Sequence, residues 1–482
     1  MGPSLNGISP TMPDVDHPPT MLMGCEGRFC AEPPEANKTK LRSLRKHVRW
    51  RVKQFTPIQP GQLMTVPEWL AVCPYPLHRK VELQQAWDSA LGQVCARHLH
   101  NDSHGKKETY IPLKPGKFKL ARGINSRSDV FKCATGPAFK QIEEEVFKHR
   151  VFIKHTPVCM RPQVIVDELG GFPGPFYETD YSQFEKHFKA EIMESMEMIL
   201  YEHMLQHYPQ LLSLIRKAML GTNVCKFKHF TIKIDARRMS GEMCTSLGNG
   251  FSNWMLADFI ATSKGGSITG FVEGDDGLFY SSVPLTVADF AELGFDIKML
   301  RHLNLLRTSF CGLVMSEDLI TMTDPRKVLI NFGWTHSLLM HGGPAVISGL
   351  LKAKALSLAY EHPRCPILSV LARRVISQLP GVRERFEGNW YEQHLNREVN
   401  QFKEETAVLL AMGPSQQSRL DFAELFDISV EQQLHVEAEL NSWTGGPLDG
   451  PWTQSLFDSS YDLCRDYHDR FTSPLPLCPT PI

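Results

Sequence analysis

Ser267-Ile-Thr-Gly-Phe-Val-Glu-Gly-Asp-Asp-Gly-Leu-Phe-Tyr280 reads as two short strands joined by a tight turn. Ser267 to Val272 alternates small or polar residues with apolar ones, and Leu278-Phe-Tyr280 restarts the apolar pattern. Gly274-Asp-Asp-Gly277 lies between them, and Gly and Asp tolerate the positive φ angles of a two-residue hairpin turn. The turn is expected to present Asp275 and Asp276 together at a hairpin tip. Two adjacent carboxylates raise each other's pKa unless a cation neutralises them. Hard oxygen ligands of this kind suit Mg²⁺ or Mn²⁺. An isolated Gly-Asp-Asp is most often an acidic surface turn, so the flanking chain decides its meaning.

The chain has 482 residues, too many for one compact core, so two or three subdomains are expected. Its formal charge is -1, so a nucleic-acid surface must be a local stripe and not a whole-protein field. The 12 cysteines form no paired CxxC set, which predicts reduced thiols in a cytosolic compartment. Cys25 and Cys30 lie close together, but no second pair completes a zinc site. No apolar run is long enough for a transmembrane helix, and the N-terminus lacks a signal-peptide pattern.

Met1 to about Asn37 is rich in Pro, Gly and Met and is expected to be irregular, either disordered or an extended strap. Lys38 to Lys53 alternates cations with Leu41, Leu44, Val48 and Val52 at helical spacing. Two readings stand open for it: a phosphate or anionic-membrane contact, or a solvated helix face. Thr65 to Leu99 and Gly136 to Arg150 read as helical, with a polar break at Asn101 to Lys107. Between them Lys114, Lys117, Lys119, Arg122, Arg127 and Lys132 recur along an extended segment, which suits a triphosphate or an RNA backbone.

Phe176 to Thr179 has strand character with Asp180 at its end, and a helical pattern runs from Ser182 to about His207. Asp180 is a candidate third metal ligand; on its own it would read first as a helix N-cap. Phe230 to Ile234 is a strand. A small-residue loop then leads into a helix carrying Phe251, Trp254, Met255 and Phe259. Ser240, Thr245 and Asn249 recur every four or five residues on that loop and first turn, where hydroxyls and an amide can read a sugar edge. Further strands are expected at Gly294 to Lys298 and Ser309 to Met315, with a helix at Leu285 to Leu293 between the hairpin and these. Helices follow at Val346 to Tyr360, Pro366 to Leu379, Asn389 to Met412 and Val430 to Leu440.

Taken in order, Asp180, Ser240-Gly-x-x-x-Thr-x-x-x-Asn249 and Gly274-Asp-Asp276 resemble a viral RNA-dependent RNA polymerase. The tombusvirus-like group of positive-strand RNA viruses is the nearest in pattern. Arg238 to Asn249 is similar to that group's second palm motif. Arg122-Gly-Ile-Asn-Ser-Arg127 looks like its triphosphate-receiving fingers motif, and Gly294 to Lys298 and Phe310-Cys-Gly312 match later palm motifs. The resemblance covers about Lys114 to Met315.

The resemblance implies an α+β right-hand architecture of fingers, palm with an antiparallel sheet, and helical thumb. Fingers would take 38–175 and an insertion at 191–233, the palm 176–190 and 234–330, and the thumb 331–472. Residues 1–37 would be an irregular N-terminal segment and 473–482 a Pro-rich tail. It implies two-metal nucleotidyl transfer, with Asp180, Asp275 and Asp276 on Mg²⁺ or Mn²⁺. Lys298 would protonate the pyrophosphate, and Arg122 and Arg127 would hold the incoming phosphates. Ser240, Thr245 and Asn249 would read the ribose. The family's first palm motif usually carries a second Asp where this chain has Glu185, which leaves sugar discrimination the weakest part of the transfer. Asp235 is set aside as a ligand because too few residues separate it from Ser240.

The implied partners are RNA template and nascent RNA, nucleoside triphosphates, and a viral or host membrane-associated replication protein. The implied location is the host cell cytoplasm, at a membrane-associated replication complex. Alternatives are a reverse transcriptase, a catalytically inactive RNA-binding replicase subunit, and a two-metal nuclease.

Overall fold

The computed structural model describes residues 2–111, 119–335, 338–386 and 390–472. Lys114, Lys117 and the Pro-rich tail 473–482 lie outside the described residues. The chain forms two compact units. One comprises Val15–Lys106 and Leu120–Val314; the other comprises Met1–Asp14, Lys107–Lys119 and Met315–Ile482.

The first unit holds two four-stranded sheets. Strands β1 (Asn101–Gly105), β2 (Gly123–Arg127), β4 (Thr222–Lys226) and β5 (Thr231–Asp235) form one, in the order β2-β1-β4-β5. The β1–β4 pair is parallel and the other two pairs are antiparallel. Asn101 to Lys107 was expected to be a polar break. It forms β1 because Asn101, Ser103 and Gly105 alternate inward and are small enough to pack. Apolar alternation, the usual strand signal, is missing there.

The second sheet is fully antiparallel: β6 (Ile268–Glu273), β7 (Asp276–Ser281), β3 (Phe176–Tyr181) and β8 (Ile297–His302), in the order β6-β7-β3-β8. Period-two alternation in β3 turns Tyr177, Thr179 and Tyr181 into the protein and leaves Asp180 exposed. Behind the sheet runs the helix Thr245–Ser263, buried along nearly its whole length through Leu247, Phe251, Met255 and Phe259. A helix that is apolar all round belongs inside a core. Ser309–Phe310 and Leu313–Met315 pair as a short hairpin where one strand was expected, turning at Cys311 and Gly312 with φ of +54° and +77°.

Other expectations change for local reasons. The pattern from Ser182 to His207 is broken into a 3-10 turn at Phe184–His187 and helices Ala190–Met193 and Glu197–Met204. Its start is interrupted by Gln183 at a positive φ of 57°. Thr65 to Leu99 splits into Val66–Val72, Leu77–Ser89 and a 3-10 turn at Ala96–Leu99. Pro74 and Pro76 deny the intervening residues a helical amide donor and bias their predecessors away from helix. The N-terminal segment is not wholly irregular, since Pro18–Gly27 is a helix with Met21 and Cys25 buried.

The second unit is mainly helical, with helices at Pro344–Glu361, Leu368–Gln378, Trp390–Gln401, Lys403–Met412, Gln416–Phe426 and Val430–Ser442. Its core includes Leu358, Leu371, Val375, Phe422, Val436 and Leu440. The helix Gln416–Phe426 was not foreseen; Ser415 caps it by accepting from the Ser418 amide at 2.9 Å. Residues 2–14 belong to this unit as an extended strap, with the Asn6 amide donating to the Leu448 carbonyl at 3.1 Å and the Thr11 amide to that of Tyr110 at 3.0 Å.

Candidate active site

The hairpin turn sits one residue earlier than its sequence suggests. Glu273 ends β6 directly opposite Asp276, the first residue of β7, so Gly274 and Asp275 alone make the turn. Gly274 takes a φ of +63°, which glycine adopts without strain. The turn is held from behind by Asn253, a fully buried residue of the helix Thr245–Ser263. Its Nδ2 donates to the carbonyls of Asp275 at 3.1 Å and Asp276 at 3.0 Å, with Gly274 at 3.4 Å. Its Oδ1 accepts from the Tyr181 hydroxyl at 3.3 Å. Tyr181 is the neighbour of Asp180, so one side chain ties together the turn, the helix and the end of β3.

The β3–β7 ladder ends at the pair Thr179 and Gly277, and Asp180 is the next residue of β3. On its other side Asp180 pairs in register with Lys298 of β8, whose Nζ lies 3.7 Å from the Asp180 carboxylate. Burial, then the carboxylates of Asp180 and Glu185, raise the Asp275 pKa, with Arg122 pulling it down. Burial, then Asp275 and Asp180, push Asp276 up to about 7. Glu273 beside them is compensated by Arg161 at 2.6 Å and Lys154 at 3.7 Å. Among the described residues neither Asp275 nor Asp276 has an ion-pair partner.

The chemistry of this donor set suits a divalent cation: Asp275 and Asp276 are both raised, first by burial and then by neighbouring carboxylates that include Asp180. As they stand, no three His, Cys, Asp or Glu side chains among the described residues form a group that could hold a metal ion.

Glu185 is held by Arg28, whose Nε donates to its Oε1 at 2.9 Å. Arg122, at the start of the segment leading into β2, is half-buried and felt electrostatically by Asp275. Arg127 is elsewhere in function. It is 3 % exposed and donates to Glu242 at 2.6 Å, to the carbonyls of Leu99 at 2.5 Å and Ala218 at 2.7 Å, and to Asn223 at 2.8 Å. Those bonds engage all three guanidinium nitrogens inside the protein, which turns Arg127 away from the expected phosphate contact.

Ser240 is half-buried on the loop before the helix. That loop lies so close to β2 that a Cβ on Gly241 would stand 2.7 Å from the Asn125 carbonyl oxygen. The Thr245 hydroxyl donates to the Glu242 carbonyl at 2.8 Å and shapes the loop. Asn249, one turn on, keeps a buried Oδ1 with no hydrogen-bond partner among the described residues. Asp235 ends β5 in the other sheet, where its carboxylate accepts from Thr222 at 2.6 Å.

Sequence reasoning missed Asn253, Tyr181 and Arg28. Asn253 left a signal, a polar residue four after Asn249 inside an apolar run. Arg28 left none, because only the fold brings it to Glu185.

A family model described as RNA dependent RNA polymerase matches residues 122–339. No curated protein matches the chain. The matched stretch contains Arg122, Asp180, Ser240, Asn249, Asp275, Asp276 and Lys298, and the chain is an RNA-directed RNA polymerase of viral type, a nucleotidyltransferase. No helix among the described residues is long and apolar enough to cross a membrane.

Proposed function

We propose that this enzyme copies a positive-strand viral RNA genome by template-directed ribonucleotidyl transfer, with Asp180, Asp275 and Asp276 as the metal-holding acids. The observation that carries the proposal is the strand register: β7 begins with Asp276 directly after the turn residue Asp275, and its Gly277 pairs with Thr179, the residue before Asp180. Asp180, Asp275 and Asp276 would hold Mg²⁺ or Mn²⁺, which would supply charge compensation to the triphosphate and acidity to the 3′-hydroxyl.

The remaining roles fall to the chain's own residues. Asn253 fixes the turn so that Asp275 and Asp276 do not reorganise as charge develops, which is where preorganisation lowers a barrier. Arg122 takes the incoming phosphates through its planar donors. Lys298, exposed and next to Asp180, gives a proton to the departing pyrophosphate oxygen. Asn249 and Ser240 meet the ribose, and the unpartnered Asn249 Oδ1 supports that assignment because a buried acceptor without a donor is costly. Glu185, oriented by Arg28, would act on the same sugar. In this reading the fingers and palm would lie in the first unit and the thumb in the C-terminal helices. Attachment to a membrane would fall to a separate viral or host replication protein.

Elongation of a primed RNA template by the wild-type chain and by Asp275→Asn tests this. Loss of synthesis on the order of 10³-fold is expected for the variant. Equal rates for the two would overturn it.

A further inference from the structure

The helix Lys38–Arg51 and the 3-10 turn after it, Val52–Gln54, carry eight Lys or Arg and no acid between Lys38 and Lys53. Leu41, Leu44 and Val48 are buried in the core of the first unit. Three of the cations lean on acids of neighbouring elements. Lys40 pairs with Glu292 at 3.2 Å and Arg45 with Glu194 at 3.7 Å. Arg51 forms a two-pronged pair with Asp258, both bonds at 2.6 Å.

The other five, Lys38, Arg42, Lys46, Arg49 and Lys53, are exposed and have no ion-pair partner among the described residues. At 3.6 residues per turn they fall within an arc of about 80° and step along the axis by roughly 5–6 Å. Trp50 borders this arc, 57 % exposed, with the Arg51 guanidinium 4.5 Å from its ring centroid. Helix stability does not account for the pattern. Lys38 and Lys40 stand at the N-terminal end, where cations oppose the helix dipole.

We propose that this face binds a single RNA strand outside the catalytic site, with its phosphates along the five cations and a base stacked on Trp50. A row of unpaired cations edged by an exposed aromatic ring is the pattern that tracks a flexible polyanion bearing flat bases. A lipid surface fits less well. Interfacial helices bury an apolar face in the bilayer, and here that face is already packed against the protein. The stripe is fixed to the catalytic apparatus: Asp258, which anchors Arg51 and His47, lies on the same helix as Asn253. The inference rests on the polymerase reading only for the identity of the nucleic acid.

The test uses the full chain and a fluorescent 20-nucleotide RNA, with dissociation constants measured across a salt series. A combined Arg42→Gln, Lys46→Gln, Arg49→Gln, Lys53→Gln variant is expected to lower the log–log salt slope by about 3, at about 0.7 per lost phosphate contact. Trp50→Ala is expected to weaken binding roughly tenfold. Unchanged thermal midpoints would show both variants to be folded, since the buried face and Arg51 are left intact. Asp275→Asn should abolish elongation and leave the slope as it is, so failure of the polymerase reading is seen separately. Wild-type slope and affinity in the folded stripe variant would overturn the proposal. So would retained RNA binding together with lost flotation on anionic vesicles, which would make the face a lipid contact.

Discussion

The Asn253 side-chain amide donates to the main-chain carbonyl of Asp275 at 3.1 Å, reaching the acidic turn from the middle of a buried helix. A turn of two residues has few bonds of its own, and this contact sets the direction in which the Asp275 side chain leaves the sheet. Asn253→Ala is therefore expected to lower kcat by about 10- to 100-fold with little change in nucleotide KM. It should also cost about 1–3 kcal/mol of stability through the unpaired carbonyls and the Tyr181 hydroxyl. Steady-state elongation kinetics read with a melting curve check both. A change confined to the melting curve would reduce Asn253 to a packing role.

The two arginines once paired by sequence separate by structure. Arg122→Ala is expected to raise nucleotide KM about tenfold or more while the melting temperature holds. Arg127→Ala should destabilise the first unit by about 3 kcal/mol or more, because it empties a buried site that satisfies Glu242, Asn223 and two carbonyls. Nucleotide titrations and thermal unfolding of both variants distinguish the roles.

Hairpin glycines differ in the same way. At Gly270, with φ of +154°, an added Cβ would stand 2.0 Å from the Leu278 carbonyl oxygen. At Gly274 a Cβ would meet nothing within 4 Å, and only the φ of +63° is unfavourable. Gly274→Ala is expected to cost about 1–2 kcal/mol and to retain measurable elongation. Gly270→Ala should split β6 from β7 and abolish it. Soluble yield, melting temperature and elongation rate order the two.

Asp258 makes stability depend on pH. Burial acts to raise its pKa, but hydrogen bonds from His47 and Arg51 outweigh it and hold the carboxyl below the ordinary 3.8. A depressed folded-state pKa contributes stability that is fully present above the unfolded value and is lost as pH falls through the folded one. Asp258→Asn is expected to be less stable than the wild type by about 3 kcal/mol near neutrality. The gap should begin to close only below pH 3.8. Melting temperatures of both proteins from pH 7 down to about 2 check the sign.

Much of the acidic hairpin was readable because its cues are local. Alternation set β6 and β7, and Gly274 marked the turn. Only the placement of Asp276 was off by one, in the strand and not in the turn, since nothing local ends a ladder at Glu273 and not at Val272. The four-stranded order β6-β7-β3-β8 was not readable, as it depends on which distant strands find each other. For the same reason Arg28 beside Glu185, 157 positions apart, had no trace in the sequence. Arg127 shows the converse: a motif match named it, but its burial at the end of β2 assigned it to the fold. β1 was missed because Asn101, Ser103 and Gly105 pack inward as small polar groups, which no hydrophobic period reveals.

Asp180 and Asp275 sharing one cation site is the claim on which the account depends. Mn²⁺ titration followed by electron paramagnetic resonance, with RNA and a non-reactive nucleotide present, reads it directly in wild type, Asp180→Asn and Asp275→Asn. Both substitutions are predicted to weaken the same Mn²⁺ site by at least about tenfold, or about 1.4 kcal/mol. Wild-type Mn²⁺ affinity in Asp180→Asn, with loss in Asp275→Asn alone, would contradict it.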